Sequence, residues 1–246
     1  SETHIKYPLA DSALTPDIAI VDPQFVYSVP KSVTADTGMD VLTHAIESFV
    51  SVLANDYTKG LSLQAIKLVF ENLRNSYNYG DQESREKMHN ASTMAGMAFA
   101  NAFLGISHSI AHKIGGQWDL IHGRTNAILL PHIIRYNAID PQKHALWAKY
   151  EYFRADEDYA EIARYLGFKG NTTAELVEAL ATEITKLGQD IGIKMNFREQ
   201  GITEEMLERD ADRLAELAFE DQCTTANPKQ PLISELKEII YAAYKG

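Results

Sequence analysis

Three of the eight histidines in this 246-residue chain lie close together in the sequence. They are His108, His112 and His122, within the stretch ISHSIAHKIGGQWDLIHGRTNA. His108 and His112 are four residues apart, so on a helix they would lie on one face. A metal site, an acid–base apparatus and unrelated helix-surface residues are all compatible with the cluster. Any one histidine taken alone is more often a surface or partly buried residue than a ligand.

Asp40 and His44 form a second pair with the same spacing, in GMDVLTHAIES. Both stand at the margin of an apolar helical stripe and would point towards the interior, where an unpaired carboxylate is costly to bury. A local Asp–His ion pair on a helix surface explains the spacing equally well. One carboxylate with two or three imidazoles suits a divalent first-row metal such as Fe²⁺ or Zn²⁺. The residues alone therefore predict a helical domain with a metal centre.

Composition and charge narrow the class of protein. Hydrophobic residues make up 45% of the chain and charged residues 23%, as in an ordinary soluble globular protein. The net charge of −11 makes nucleic acid and anionic membranes poor partners. The chain has neither a long apolar run nor a signal peptide pattern, and its single cysteine, Cys223, fits a reducing cytoplasm. We expect a cytoplasmic protein.

The hydrophobic periodicity divides the chain at about residue 30. Residues 1–30 contain two short β-branched runs bounded by proline, HIKYP and PDIAIVDP, which predict strands. From residue 31 apolar residues recur at intervals of three and four, which predicts an all-α bundle over 31–246. The predicted helices cover residues 39–54, 57–77, 84–103, 126–136, 145–166, 173–191, 203–219 and 232–244.

Two segments carry a specific resemblance. The run GMDVLTHAIE, residues 38–47, matches the pattern G-x-D-x-x-T-H-A-x-E, and GISHSIAHKIGG is followed by IHGRTNAILLPH. In these segments the chain resembles the iron-dependent alcohol dehydrogenases, whose helical domain is similar to that of dehydroquinate synthase. Residues 144–167 and 221–239 look like the C-terminal part of bacterial bifunctional aldehyde-alcohol dehydrogenases in particular.

The resemblance implies a role for each matching position. The family's metal ligands correspond to Asp40, His44, His108 and His122, so the resemblance implies a metal site made of these four residues. It makes His112 a non-ligand beside the nicotinamide and substrate, where the imidazole either relays a proton or only orients its neighbours.

Two further positions are implied to lie at the substrate pocket. Phe99 matches a pocket-lining position, and Cys223 falls in a C-terminal motif that packs back towards the pocket. For Cys223 a buried small apolar residue is the simpler explanation.

The implied activity is reversible reduction of acetaldehyde or another short aldehyde with NADH, using Fe²⁺ or Zn²⁺. Family members bind NAD mainly through a nucleotide-binding domain with a glycine-rich turn, and no such turn occurs here. We therefore expect residues 1–30 to be the β remnant of that domain and the chain to be a fragment that is inactive without it. Upstream aldehyde dehydrogenase and NAD-binding domains, and a homo-oligomer or filament, are the expected partners in the full-length protein.

Two other interpretations compete with this one. A lyase of the dehydroquinate synthase type also uses a metal and NAD in a similar helical domain, although its metal ligands have a different spacing. Alternatively, the domain serves in oligomerisation through the apolar side of its last helix, which carries Leu232, Leu236, Ile239, Ile240 and Ala243. Core packing is the more ordinary role for that side.

Overall fold

The computed structural model describes residues 11–141 and 153–246 of the chain. Within these ranges the chain forms α-helices and short 3-10 segments and has no strand. The helices are α1 (Lys31–Val50), α2 (Asp56–Asn78), α3 (Gln82–Ala102), α4 (Ile106–Gln117), α5 (His122–Asn137), α6 (Ala155–Tyr165), α7 (Thr173–Asp190), α8 (Glu204–Phe219) and α9 (Ile233–Lys245). The 3-10 segments are Ser12–Leu14, Pro23–Val26 and Gln222–Ala226.

The predicted all-α bundle is confirmed, but the described part of residues 1–30 does not show the predicted β structure. The run PDIAIVDP has no strand, and it leads into the 3-10 segment at Pro23–Val26. Ile18 and Ile20 in this run are 82% and 90% exposed. A strand needs a partner for its backbone N–H and C=O groups, and the described residues offer none. The first predicted strand, HIKYP, lies outside the described residues.

Polar side chains fix the start of several helices. Asn55, Asp81, Thr172 and Thr203 each accept a hydrogen bond from a backbone N–H in the first turn of α2, α3, α7 and α8 respectively. The backbone N–H groups at the start of a helix would otherwise have no hydrogen-bond partner. Helix α5 starts at His122, four residues before the predicted start, so the third histidine of the cluster opens a helix. For the helix predicted over 145–166, the described part forms α6.

Helix α5 lies between two hydrophobic clusters and belongs to both. Ala127, Leu130 and Ile134 join α1, α2, α3, α6 and α7 in the first cluster. Ile128, Leu129 and Ile133 join α4, α8 and α9 in the second. The apolar residues of α5 thus pack on more than one side of the helix, while Arg124, His132 and Arg135 are only partly buried. This central position holds the start of α5 in a fixed place between α1 and α4.

The apolar side of α9 packs inside the chain. Leu236, Ile239, Ile240 and Ala243 are buried in the second cluster, whereas Leu232, just before the helix, is more than half exposed. Core packing therefore accounts for this face, and it is not free to act as the contact surface that the oligomerisation hypothesis requires.

None of the described helices is by itself long and apolar enough to cross a membrane. Helices α3 and α4 meet that test only as a pair, and they are bent by 106° relative to each other.

The partly buried ring of His132 on α5 makes the stability of the fold depend on pH. Burial, with a smaller contribution from Arg135, lowers the pKa of His132 to about 4. An unfolded histidine has a pKa of about 6.5, so the unfolded chain takes up this proton first as the pH falls. The contribution of neutral His132 to stability is complete above about pH 6.5 and is lost progressively as the pH falls towards 4.

We therefore expect His132→Gln to reduce the loss of stability between pH 7 and pH 5. The measurement is the free energy of unfolding in urea for wild type and variant at both pH values. Relative to wild type, the variant should have a higher free energy of unfolding at pH 5 than it has at pH 7. Parallel changes in both proteins would contradict this assignment.

Candidate metal centre

Three helices meet at the histidine cluster, and two glycines allow them to approach closely. A Cβ atom on Gly123, in the first turn of α5, would lie 2.1 Å from the backbone oxygen of Asp36 on α1. A Cβ atom on Gly105, just before α4, would lie 2.9 Å from Oε1 of Glu47 on α1. Arg124 also anchors α5 to α1, because its Nε and Nη2 donate to the two carboxylate oxygens of Asp36 at 2.9 and 3.0 Å.

The four predicted ligands lie together at this junction. Candidate ligand atoms of Asp40, His44 and His108 lie within 4.8 Å of one another. The Nε2 atoms of His44 and His108 are 3.1 Å apart, and Nε2 of His108 is 3.8 Å from Oδ1 of Asp40. His122 lies outside that tightest group, but its Nε2 is 3.6 Å from Oδ1 of Asp40. His108 is buried at the base of the cluster, and the side chain of His122 is 30% exposed at its rim.

Hydrogen bonds behind the rings determine which nitrogen carries the hydrogen. Nδ1 of His44 is 2.7 Å from the backbone oxygen of Asp40, which can only accept, so Nδ1 donates and Nε2 keeps its lone pair. Nδ1 of His108 is 2.6 Å from Oε2 of Glu47, and where that carboxylate is ionised it can only accept, so Nδ1 of His108 donates as well. Two lone pairs 3.1 Å apart repel each other unless a cation, either a proton or a metal ion, lies against both.

Asn126 orients the other two members of the set. Its Nδ2 donates to Oδ1 of Asp40 at 2.8 Å and lies 3.2 Å from Nε2 of His122, while Ser107 Oγ donates to its Oδ1. Because the Asn126 NH₂ group can only donate, Nε2 of His122 must also carry a lone pair. Burial alone would raise the pKa of Asp40. The electrostatic attraction of His44, His108 and His122, together with the hydrogen bond from Asn126, outweighs burial and lowers that pKa, so Asp40 is an anion.

Glu47 is a residue of this centre to which the sequence analysis assigned no role. It is buried, and besides its contact with His108 it accepts a hydrogen bond from the backbone N–H of Ser107 at 2.7 Å. Burial raises the pKa of Glu47 to about 7, and hydrogen bonds from the Gly105 and Ser107 amides act in the opposite direction. The spacing gave a usable signal, because Asp40, His44 and Glu47 at i, i+4 and i+7 share one face of α1.

His112 lies beside the cluster and has a different set of contacts. Its ring is nearly parallel to that of His122, with centroids 5.3 Å apart. Its Nδ1 is 3.2 Å from Oδ2 of Asp221, which also accepts from Lys113 Nζ at 2.7 Å. Burial alone would raise the pKa of Asp221, but the hydrogen bonds from His112, Lys113 and the Cys223 backbone hold it below its usual range. Asp221, in the C-terminal part of the chain, was not found from the sequence.

The two predicted pocket residues also lie at this centre. The Phe99 ring stacks on the His44 ring, with centroids 4.6 Å apart. Candidate ligand atoms of Cys223, His112 and Asp221 lie within 4.8 Å of one another. Burial, reinforced by the charge of Asp221, raises the pKa of the Cys223 thiol, so the thiolate needed for metal binding is disfavoured. The second group is therefore a hydrogen-bonded cluster around His112.

The first group fits a divalent metal ion. Two ligands at ~2.1 Å from a shared tetrahedral ion lie about 3.4 Å apart, and the distances here are 3.1, 3.6 and 3.8 Å. The donors are neutral imidazole nitrogens and one carboxylate, which suit Fe²⁺, Zn²⁺ and related ions. The Nδ1 atoms of His44 and His108 and the carboxylate of Asp40 each have a hydrogen-bond partner, as is usual for metal ligands. The arrangement can bind a cation at the base of a partly open site.

A helical domain with this set of donors is typical of metal-dependent enzymes. Residues 34–244 match the family model described as "Fe-containing alcohol dehydrogenase family, C-terminal". The chain belongs to the Fe-containing alcohol dehydrogenase family.

Curated relatives agree with this assignment. The chain is 62% identical to the aldehyde-alcohol dehydrogenase of Streptococcus pneumoniae serotype 4 over 98% of its own length and 27% of that protein. It is 49% identical to the bifunctional aldehyde-alcohol dehydrogenase of Escherichia coli K12, over 98% of the chain and 28% of that protein. The chain thus spans little more than a quarter of the length of these relatives.

Solved structures share the fold. The iron-containing alcohol dehydrogenase from Thermococcus thioreducens superimposes with a TM-score of 0.83 at 34% identity, over 96% of this chain and 57% of that one. The sulfoacetaldehyde reductase from Bifidobacterium kashiwanohense, solved in complex with NAD⁺, gives a TM-score of 0.77 at 29% identity, over 95% and 56%.

The close approach at Gly123 predicts that Gly123→Ala damages the centre. The new methyl group meets the backbone of Asp36, so α5 must move away from α1 and carry His122 away from Asp40. We expect a loss of about 1–3 kcal/mol in the free energy of unfolding, typical of overpacking, together with weaker binding of Zn²⁺. Urea unfolding and competition with a chromophoric chelator measure the two effects.

Gly60→Ala is the matched control, because a Cβ atom at Gly60 in α2 meets no atom within 4 Å. This variant should be as stable as wild type or slightly more so, since alanine favours a helix. Equal Zn²⁺ affinity and stability in Gly123→Ala and Gly60→Ala would show that the contact between α5 and α1 does not position His122.

Proposed function

We propose that this chain is the metal-binding domain of an NAD-dependent alcohol dehydrogenase that reversibly reduces acetaldehyde or another short aldehyde. The observation that carries the proposal is the approach of the Nε2 atoms of His44 and His108 to 3.1 Å beside the Asp40 carboxylate. The relatives named aldehyde-alcohol dehydrogenases support aldehydes and alcohols as the substrate class. The same site is expected to accept Fe²⁺ in the working enzyme and Zn²⁺ in its place.

Asp40, His44, His108 and His122 are the proposed metal ligands. A bound divalent ion would supply Lewis-acid polarisation of the substrate oxygen at this site. The protein's contribution is to hold three imidazoles and one carboxylate in place through Glu47, Asn126 and the backbone of α1. His108 is buried and His122 is partly exposed, so substrate would enter from the His122 side.

His112 is the proposed acid–base or orienting residue. With Nδ1 donating to Asp221, Nε2 of His112 is left as the nitrogen that can accept a proton or a hydrogen bond from the substrate. Lys113 shares the same carboxylate oxygen and helps to hold Asp221 in place. His112 would act beside the nicotinamide and the substrate, and would not ligate the metal.

Phe99 and Cys223 are the proposed substrate-pocket residues. Phe99 stacks on His44, so its ring forms an apolar wall next to a proposed ligand. Cys223 is buried beside His112 and Asp221, where its neutral thiol takes up space next to the proposed proton carrier. Both positions suit a small apolar substituent on the aldehyde.

The remaining partners are proposals about a longer protein. Because the chain covers about half of the solved relatives, one of them in complex with NAD⁺, we propose that a nucleotide-binding domain outside it holds NAD. An upstream aldehyde dehydrogenase domain and a homo-oligomer or filament complete the proposed assembly. The single cysteine supports a cytoplasmic location. The family match favours the dehydrogenase over the dehydroquinate synthase-like lyase.

Metal binding tests the ligand assignment directly. We expect about one divalent ion per chain in the wild type and strongly reduced content in Asp40→Ala and His108→Ala, because each variant removes a ligand. Metal analysis after equilibration with Fe²⁺ or Zn²⁺ gives the content. His89→Ala is the control, since His89 lines a separate cavity of about 250 Å³ between the N-terminal segment, α1 and α3. Unchanged metal content in both ligand variants would refute the assignment.

Turnover tests the proposed division of labour between domains. We expect NADH-dependent reduction of acetaldehyde, with added Fe²⁺, from a version extended upstream and none from the 246-residue chain. The physical reason is that the hydride donor must be held against the substrate carbon, and we assign that task to the proposed nucleotide-binding domain. Robust turnover by the 246-residue chain alone would disprove this division.

A further inference from the structure

Glu47 is the residue on which this inference rests, and it depends on the metal site proposed above. Its carboxylate is buried and accepts hydrogen bonds from backbone amides at the start of α4, besides facing His108. Oε1 accepts from the backbone N–H of Ser107 at 2.7 Å, and Oε2 lies 2.6 Å from Nδ1 of His108. One side chain on α1 thus contacts both the backbone and the histidine of α4.

The first contact fixes the position of α4. Gly105 precedes this helix and has no side chain to satisfy the amides of the first turn. Glu47 supplies the missing acceptor from another helix, in the place where a cap residue would normally act. His108 follows Ser107 in the first turn of α4. The same hydrogen bond therefore also fixes the position of the His108 ring relative to α1.

The second contact, between Glu47 and Nδ1 of His108, determines which nitrogen of the His108 ring carries the hydrogen. A carboxylate can only accept, so the hydrogen of neutral His108 must lie on Nδ1, and Nε2 is left with a lone pair. That nitrogen is the one facing His44 and Asp40, at 3.1 and 3.8 Å. A carboxylate behind a histidine ligand is known to orient the ring and increase its basicity.

We propose that Glu47 is a positioning residue of the metal centre, which holds His108 with Nε2 unprotonated and aimed at the metal. It acts through His108 and touches neither metal nor substrate. This role explains why a carboxylate is buried here, since a bound cation on the far side of the imidazole would compensate its charge.

Glu47→Gln separates this role from a purely structural one. Glutamine has nearly the same shape but a single acceptor oxygen. The Ser107 N–H cannot change its direction, so it takes that oxygen, and the glutamine NH₂ then donates to Nδ1 of His108. The hydrogen of His108 is forced onto Nε2, where it blocks the metal. The variant should therefore fold, because the first turn of α4 keeps its acceptor, and yet bind metal poorly.

The first measurement uses the metal-free chain at pH 8, where carboxylates are ionised. Long-range ¹H–¹⁵N correlation spectra report which nitrogen of His108 carries the hydrogen, with His108→Ala used to assign the signals. We expect Nδ1–H in the wild type and Nε2–H in Glu47→Gln. This result does not depend on whether the chain binds metal, so it distinguishes failure of this inference from failure of the proposed function.

The second measurement is Zn²⁺ affinity by chelator competition for wild type, Glu47→Gln and Glu71→Gln. Glu71, on the exposed side of α2, is the matched control and should leave the affinity unchanged. For Glu47→Gln we expect affinity to fall roughly 10- to 100-fold, as is usual for the loss of a partner behind a ligand. Circular dichroism establishes that the variant is folded.

Three outcomes would overturn the inference. One is Nε2–H on His108 in the wild type, which applies even if the variant does not fold. Another is Nδ1–H retained in a folded Glu47→Gln. The third is a Zn²⁺ affinity in Glu47→Gln equal to that of Glu71→Gln, in a wild type that binds the ion.

Discussion

The structure depends on one unfavourable contact, the approach of two imidazole nitrogens to 3.1 Å with acceptors behind both rings. The Asp40 carbonyl requires a hydrogen on Nδ1 of His44, and the Glu47 carboxylate, where it is ionised, requires one on Nδ1 of His108. Both Nε2 lone pairs then face the same small space beside the Asp40 carboxylate. Only a cation there turns this repulsion into attraction, and the donor types suit a divalent metal ion of the first transition row.

Helix packing holds that arrangement together. Helix α5 is buried between two hydrophobic clusters, so its first turn, with His122, has little freedom to move. Gly123 lets this turn contact the backbone of α1, and the bidentate pair of Arg124 with Asp36 holds it there. Glu47 connects α1 with α4 in a similar way. The contacts that define the bundle are thus the contacts that set the distances between the proposed ligands.

The centre has a second part built from the C-terminal third of the chain. Asp221 begins the 3-10 segment after α8, and its carboxylate accepts from His112 and Lys113 on α4. His108 and His112 thus each have Nδ1 on a carboxylate, although their rings are neighbours. What distinguishes His108 is that its Nε2 faces His44 and Asp40.

The sequence by itself determined the all-α class and the family, because apolar periodicity and short motifs are local properties of the chain. Through the resemblance it also predicted one site made of Asp40, His44, His108 and His122, with Phe99 and Cys223 beside them. Spacing alone would have paired His108 with His112. The N-terminal run PDIAIVDP looked like a strand because β propensity is a local property and does not reveal whether another strand is available to pair with it. Only the tertiary structure assigned Glu47, Asn126 and Asp221 to the centre. Their functions depend on distances across helices that are far apart in the sequence, and these distances are set by packing.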